Sequence, residues 1–242
     1  MKFWIITPTF NRYKLLKECI KSVLVQNYNN FELIIIDDST NNETFNSIKK
    51  DFNDIRIKYL KNKKNRWVNF SRNVWLDNIS NNTDYIIFLD DDDSFNINTL
   101  IEAKKNIELN NKFNWFISNR KWITKINKYN IKYDYFNDYL FWNKIIWDVT
   151  HCISKKAIWK IRFSTNIKQA QEWLFFIELW EKYKIFTYDF DSTISKYLEW
   201  WLSDSKLIKV LLWKILWVLE FLFIRNIRIR TKINFIKRII FK

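Results

Sequence analysis

The feature that most constrains this chain is a short apolar run that ends in four consecutive aspartates. Residues 85–89 are too few for an ordinary helix and predict a buried strand, which Asp90, Asp91, Asp92 and Asp93 follow directly. Alternate side chains of an extended segment point the same way, so Asp90 and Asp92 can converge on one ion. Two carboxylates about 4 Å apart repel by roughly 4 kcal/mol at an effective dielectric near 20, which a cation would offset. The run predicts a Mg²⁺ or Mn²⁺ site, with a solvated acidic turn as the alternative.

The first 110 residues alternate between strand and helix patterns. Strands are predicted at 4–7, 31–36, 55–60 and 85–89, and helices at 13–26, 42–52, 65–79 and 98–110. This alternation predicts an α/β fold, with a mostly parallel central sheet flanked by helices. Pro8 is expected to end the first strand. The loops after Thr7, Ile36 and Leu89 then share one edge of the sheet, where ligands bind in such folds.

The segment from 111 to 205 has weaker patterns. Residues 114–123 and 129–147 alternate only in part and predict strands or loops over the cleft. His151 is the only histidine, and a structural hydrogen bond is its expected role. Residues 170–179 begin polar and continue as an apolar helical stripe. Glu172 lies in the first turn, where a carboxylate favours the helix dipole whether or not it has a further role.

The positive charge of the chain is concentrated in its last segment. The net charge is +15, and residues 206–242 contribute +9 of it, with ten Lys or Arg against Glu220 alone. The apolar run at 206–224 is too interrupted by charge for a comfortable transmembrane span. It predicts an amphipathic helix on an anionic membrane surface, and the alternative is a helix packed on the domain. Nucleic acid is not expected, because the aromatic residues lie in apolar runs.

The chain contains no glycine and 14 tryptophans. About 7% glycine is usual. A gene rich in A and T could reduce glycine but would not increase tryptophan, whose standard codon is UGG. UGA is read as glycine in some bacterial lineages and as tryptophan in others, so we hypothesise that many of these tryptophans are glycine in the natural protein. UGG codons at both Trp67 and Trp75 would contradict this hypothesis.

Four motifs together resemble the family 2 glycosyltransferases. They lie at 6–12, 34–39, 88–93 and 65–75, and the last is similar to the family pattern N-x-G-x-x-x-A-R-N-x-G. Trp67 and Trp75 stand where that pattern has glycine, residues 200–203 resemble a G-G-x-S turn, and Trp159 lies where a helix-ending glycine is common. The resemblance implies a GT-A domain over 1–205, with a nucleotide-sugar-binding half at 1–110 and an acceptor half at 111–205. The tail, 206–242, lies outside it.

The resemblance also implies a site and an inverting, metal-dependent reaction. Asp90 and Asp92 are the implied metal ligands, with Mg²⁺ or Mn²⁺ as the ion. The implied nucleotide-sugar-binding residues are Thr7, Pro8, Thr9, Asn11, Arg12, Asp37, Asp38, Arg72, Asn73, Asp90 and Asp91. Glu172 stands at the second position of the family's acidic E-D pair, where the catalytic base lies, and Gln171 stands at the first.

The implied substrates are a nucleotide sugar, with UDP-sugars favoured, and a lipid-linked or cell-surface glycan. Cys19 and Cys152 form no close motif, and the first residues show no signal-peptide pattern, so the expected location is the cytoplasmic face of the cell membrane. Two other functions remain open. A nucleotidyltransferase also uses acidic metal ligands, although residues 8–12 offer no Gly-rich phosphate loop. The other open function is that of a non-catalytic module that kept the fold in order to bind a membrane or a partner.

Overall fold

Four strand–helix units form the N-terminal half of the protein, as the sequence predicts. The computed structural model describes residues 1–62, 68–139, 144–146, 148–165, 172–195 and 232–233. The strands are β1 (Phe3–Thr9), β2 (Phe31–Asp37), β3 (Ile57–Lys61) and β4 (Tyr85–Phe88). The helices are α1 (Tyr13–Leu24), α2 (Glu43–Asp51), α3 (Val68–Asp77) and α4 (Thr99–Leu109). The predicted alternation of strands and helices is confirmed.

The C-terminal half adds short strands and two helices. The strands are β5 (Asp93–Phe95), β6 (Trp115–Lys121), β7 (Lys125–Ile126), β8 (Lys132–Tyr133), β9 (Ile145–Ile146), β10 (Val149–Ser154) and β11 (Ile185–Ser195). The helices are α5 (Lys155–Ile158) and α6 (Glu172–Trp180), and a single π-helical turn spans Tyr135–Tyr139. Strand β5 begins at the last of the four aspartates, which fixes the end of that motif in the sheet.

The central sheet is mixed, with parallel pairs among β1 to β4 and a further parallel pair between β6 and β11. Its strand order is β3-β2-β1-β4-β10-β6-β11-β5, with β8 also pairing with β11. Strands β1 to β4 run parallel, whereas β10 is antiparallel to both β4 and β6. The prediction of parallel strands is therefore confirmed for β1 to β4, which are connected by helices. Strand β10 runs the other way, and this reversal places its first residues beside the carboxyl end of β4, which in turn pairs with β1.

Strand β1 continues through Pro8 to Thr9, so the expectation that Pro8 ends it was wrong. Pro8 pairs with Ile36 of β2, and β4 on the other side pairs no further than Ile6. The carbonyl of Ile6 faces β4 and that of Thr9 faces β2. Because backbone groups alternate in direction, the nitrogen of Pro8 faces the β4 side beyond the last pair. The missing N–H therefore costs no hydrogen bond in the sheet.

The backbone of Trp122 is in the left-handed region, which is relevant to the hypothesis that some tryptophans are glycine in the natural protein. It lies between β6 and β7 with φ of 65°, and 77% of its surface is exposed. Positive φ is unfavourable for a bulky residue and natural for glycine. Trp75 packs against Trp4, and neither buried indole N–H has a partner among the described residues. Trp159 has φ of −50°, so no left-handed backbone is required there. Trp122 is therefore a further position at which we expect a glycine codon.

The predicted basic tail, 206–242, lies outside the described residues except for 232 and 233. The described residues up to 195 belong to one compact unit, Met1–Tyr197. Among the helices that the structure describes, none combines the length and apolar character needed to cross a bilayer. The boundary at 205 and the membrane role of the tail remain predictions.

Candidate active site

Three loops meet at the carboxyl ends of β1, β2 and β4, as the order of the strands predicts. The backbone N–H of Asp38 donates to the carbonyl of Thr9. The N–H of Asn11, which has φ of 54°, donates to the Oγ of Ser39 at 2.8 Å. The hydroxyl of Thr9 donates to the carboxylate of Asp91 at 2.7 Å. These bonds join the loops of all three strands into one wall of a polar cleft.

The four aspartates do not share one environment. Asp91 is buried and accepts hydrogen bonds from Thr9 and from Arg12, whose guanidinium lies 3.1 Å away. Burial raises the pKa of Asp91 to about 6, although both partners stabilise its charged form. Arg12 also contacts Asp92 at 3.2 Å. Asp91 thus holds Arg12 against the cleft wall and does not join the other three carboxylates.

Asp90, Asp92 and Asp93 form a candidate cation site. Each offers an oxygen, and these oxygens lie within 4.8 Å of one another. Asp93 is buried and accepts hydrogen bonds from Arg120 at 2.7 and 2.5 Å. Burial raises the pKa of Asp93 to about 7, which Arg120 opposes and Asp90 reinforces. The expected convergence of Asp90 and Asp92 is therefore present, and Asp93 is a third member that the sequence analysis missed.

Glu172 is joined to the aspartates through Arg72. Arg72 donates to Glu172 at 2.5 Å and to Asp90 at 3.0 Å. Arg72 is buried, whereas the side chains of Glu172 and Asp90 are each nearly half exposed. Burial opposes the charge on the guanidinium, but Glu172 and Asp90 together raise the pKa of Arg72 above its ordinary value. One buried cation therefore supports two carboxylates that face the cleft.

A second buried arginine makes a similar bridge. Arg120, on β6, donates to Asp93 and to Asp148, whose side chain is 57% exposed. Thr124 donates to the backbone carbonyl of Asp148. Asp148 lies close enough to Asp90 and Glu172 for their charges to interact. No sequence pattern singled out Arg120, because its partners come from distant segments of the chain.

Asp38 is buried among polar side chains beside β3. It accepts hydrogen bonds from the hydroxyl of Ser71 at 2.9 Å and from the side-chain amide of Asn62. Asn62 in turn donates to Ser71 at 2.8 Å. This network fixes the Asp38 carboxylate at the end of β2. Ser71 and Asn62 were not predicted, although Ser71 directly precedes Arg72 in the recognised motif.

Of three residues expected to bind the nucleotide sugar, two are buried and the third, Asn73, is half-buried and bonded to the backbone. Thr7 and Asp37 are fully buried, and Asp37 accepts a hydrogen bond from Tyr59 at 3.0 Å with Lys61 at 3.6 Å. The side-chain amide of Asn73 donates to the carbonyl of Phe163 and accepts from its N–H, both at 2.8 Å. These contacts do not favour a direct role for the three side chains, and their binding of the nucleotide sugar stays a prediction. Pro8, Asn11 and Arg12 lie on its wall and are partly or fully exposed.

His151 is a structural residue, as expected. It lies buried on β10, where its Nδ1 accepts a hydrogen bond from the indole of Trp115 at 3.0 Å. Its ring stacks on Phe176 with the centroids 4.0 Å apart. Burial and, to a smaller extent, the charge of Arg120 lower the pKa of His151 to about 3. The imidazole is therefore neutral and fully engaged in the aromatic core beneath α6.

The chain is similar to enzymes that transfer sugars. A β-1,3-glucosyltransferase of Campylobacter jejuni that acts on GalNAc(5)-diNAcBac-PP-undecaprenol is 38% identical over 96 residues, 38% of this chain and 30% of that protein. A glucosyltransferase of Escherichia coli, WfgD, named for UDP-Glc and α-D-GlcNAc-diphosphoundecaprenol, is 34% identical over 115 residues, 48% of this chain and 44% of that protein. The chain thus spans less than half the length of either relative.

The fold is similar to that of a solved structure, S. aureus TarS. The structure of S. aureus TarS 1-349 in complex with UDP-GlcNAc gives a TM-score of 0.68 at 20% identity, covering 96% of this chain and 69% of that one. At this identity the likeness establishes the GT-A fold and not the substrate. Residues 4–162 match the sequence profile of glycosyl transferase family 2. This match covers more than half of the chain, and the protein belongs to glycosyl transferase family 2.

Proposed function

We propose that this protein transfers a sugar from a nucleotide sugar to an acceptor hydroxyl, with inversion at the anomeric carbon. One observation carries the proposal: Arg72 joins Glu172, a carboxylate suited to act as a base, to Asp90 of the aspartate cluster. A base and a cation site that share one guanidinium partner suit direct displacement of a nucleoside diphosphate. Nothing in the comparisons favours a nucleotidyltransferase or a non-catalytic module.

Donor binding is assigned to the wall formed by β1, β2 and β4. Asp38 is held beside Ser71 and Asn62, where it can accept a hydrogen bond from the nucleobase. Arg12 is about half exposed and offers positive charge to a diphosphate. Asp90 accepts from Arg72 and retains lone pairs for a ribose hydroxyl. Thr9, Asn11 and Asp91 hold the loops of this wall together.

The acidic cluster fits a hard divalent cation such as Mg²⁺ or Mn²⁺. Its donors are carboxylate oxygens, which these ions prefer, and three of them converge. Asp90 and Asp92 would hold the ion, with Asp93 fixed beside them by Arg120. A cation held there would supply charge neutralisation for the leaving diphosphate. Glu172, half exposed at the start of α6, would accept the proton of the attacking hydroxyl.

We infer that UDP-sugars are the favoured donors and that the acceptor is a lipid-linked or cell-surface glycan. The named substrates of the relatives support this inference: WfgD is named for UDP-Glc, and both glucosyltransferases are named for undecaprenyl diphosphate-linked sugars. TarS, which shares the fold, was solved with UDP-GlcNAc. The identity of the sugar is left to experiment.

A donor screen tests the proposed function. The protein is prepared with glycine at every tryptophan position whose natural codon specifies it. Saturation-transfer NMR with UDP-, GDP- and dTDP-sugars is expected to show binding of at least one UDP-sugar, together with slow release of UDP. Binding of none of these donors, or consumption of nucleoside triphosphates with release of diphosphate, would show that the function is different.

We further propose that residues 206–242 hold the enzyme at the cytoplasmic face of an anionic membrane. The support is the sequence alone: +9 of the net charge and an apolar run interrupted by lysines. Each basic residue near an anionic surface contributes about 1 kcal/mol. An enzyme held at the interface would meet a lipid-linked acceptor more often than one in solution.

A chain that ends at Ser205 should lose binding to anionic vesicles and keep its UDP-releasing activity. For the full chain, binding should be stronger to anionic than to neutral vesicles and should weaken with salt, because exposed charges are screened beyond about 8–10 Å. Vesicle co-sedimentation at several salt concentrations measures both effects. Equal vesicle binding by the truncated and full chains would assign the tail to a structural helix.

A further inference from the structure

Arg72 contacts the proposed base directly but lies below the surface of the cleft. Its guanidinium is 4% exposed, and its two terminal nitrogens are taken by Glu172 and Asp90. Its Nε is buried and has no hydrogen-bond partner among the described residues. A nucleotide sugar in the cleft would meet the two half-exposed carboxylates before it could reach this guanidinium. This geometry favours an indirect role for Arg72 over the direct contact with the nucleotide sugar that the family resemblance implies.

Aromatic packing fixes the orientation of the guanidinium. Its central carbon lies 5.7 Å from the ring centroid of Phe88 and 5.4 Å from that of Phe163. Phe163 stacks on Phe175 of α6 with centroids 4.2 Å apart and planes within 6°. Asn73, one residue after Arg72, holds the backbone of Phe163 through two hydrogen bonds. Helix α3 thus positions both the arginine and the ring beside it.

Glu172 needs such a support because of where it lies. It is the first residue of α6 and nearly half exposed, so its side chain would otherwise be free to sample several rotamers. A planar guanidinium that is fixed at its other end holds a carboxylate in one orientation, which a lysine ammonium cannot do. We propose that Arg72 is a positioning residue that acts through Glu172, holding its carboxylate in the orientation needed to accept the acceptor's proton. This inference rests on the proposed function.

A double-mutant cycle tests this role. Arg72→Lys should lower kcat for UDP release from the donor by roughly 10- to 100-fold, because small misplacements of a catalytic group have effects of this size. The affinity for UDP with Mn²⁺ should change by about threefold at most, because Arg72 does not touch the donor. In a Glu172→Gln background the same substitution should change kcat by less than about threefold, since the group that it positions is already absent.

Arg120→Lys is the matched control. Arg120 is also a buried arginine that bridges two carboxylates, but its partners are Asp93 and Asp148. Arg120→Lys should lower kcat by the same factor in the wild-type background and in the Glu172→Gln background. If Arg72→Lys behaves in the same additive way, or mainly weakens UDP binding, Arg72 acts independently of Glu172 and the proposal is wrong.

Glu172→Asp provides a test that does not disturb the core. The variant keeps a carboxylate at an exposed helix start but withdraws it by about 1.5 Å, the length of one carbon–carbon bond. We expect a fall in kcat of roughly tenfold or more with unchanged melting temperature. A wild-type kcat for this variant would overturn the positioning role, even if Arg72→Lys does not fold. A wild-type kcat for Glu172→Gln would instead reject Glu172 as the base.

Discussion

Asp92→Asn is expected to remove most turnover and the metal dependence of donor binding. Asp92 contributes one of the three converging carboxylates, and its removal leaves a cluster with less negative charge and one strong ligand fewer. We expect a loss of roughly 10²-fold or more in kcat/KM, in line with the several kcal/mol that a metal contributes to charge stabilisation. Isothermal titration of UDP with Mn²⁺, Mg²⁺ or EDTA, together with UDP release, measures both effects.

The control for this variant is Asp77→Asn. Asp77 is an exposed aspartate at the end of α3 that pairs with Arg162, outside the cluster. Exposed ion pairs contribute about 0–1 kcal/mol, so this change should leave metal dependence and turnover near wild type. The circular dichroism of both variants should match the wild type. Equal UDP affinity in Mn²⁺ and in EDTA for the wild-type protein would contradict the metal role of the cluster.

The sequence predicted the part of the site that depends on where the strands begin and end. A strand that ends at Phe88 fixes where the aspartates begin, as predicted, but a turn closed by the N–H of Asp93 on the carbonyl of Asp90, and not alternation along an extended chain, brings Asp90 and Asp92 together. Parallel pairing of β1 with β2 and β4 brings Thr9 and Asp38 to the same edge. These predictions need only the strand positions and the handedness of the crossovers.

Residues whose roles depend on distant partners were harder to predict. Asp93 converges with Asp90 and Asp92 while it is held by Arg120, 27 residues later in the chain. Asn73 belongs to a recognised motif, yet its amide is directed to the backbone of Phe163. Thr7 follows four apolar residues of β1 and is buried with them. Motif membership therefore identified the region of the site, whereas burial and pairing decide which members can contact a ligand.

The C-terminal half was predicted least well for a physical reason. Strand β10 is fully buried, and its six residues include Thr150, His151 and Ser154, so no run of large apolar residues marks it. Its polar side chains are satisfied by partners on other strands and loops, such as Thr193 for Thr150. The aspartates of β11, Asp189 and Asp191, likewise interrupt the apolar pattern of the longest strand. Tertiary hydrogen bonds thus replace the hydrophobic signal on which strand prediction depends.

Glu172→Gln is expected to lower kcat by roughly 10²- to 10⁴-fold with nearly unchanged donor affinity. A base acts in the transition state, so its loss reduces kcat and kcat/KM together, whereas the amide is similar in size and can still accept a hydrogen bond from Arg72. Glu178→Gln, on the same helix, is the matched control and should retain kcat within about threefold, because substitutions outside the reacting groups have small effects. Steady-state UDP release and titration with UDP and Mn²⁺ separate the two parameters. A near-normal kcat for Glu172→Gln would move the base to Asp148, the exposed carboxylate on the opposite bridge, and Asp148→Asn would then be the variant that loses turnover.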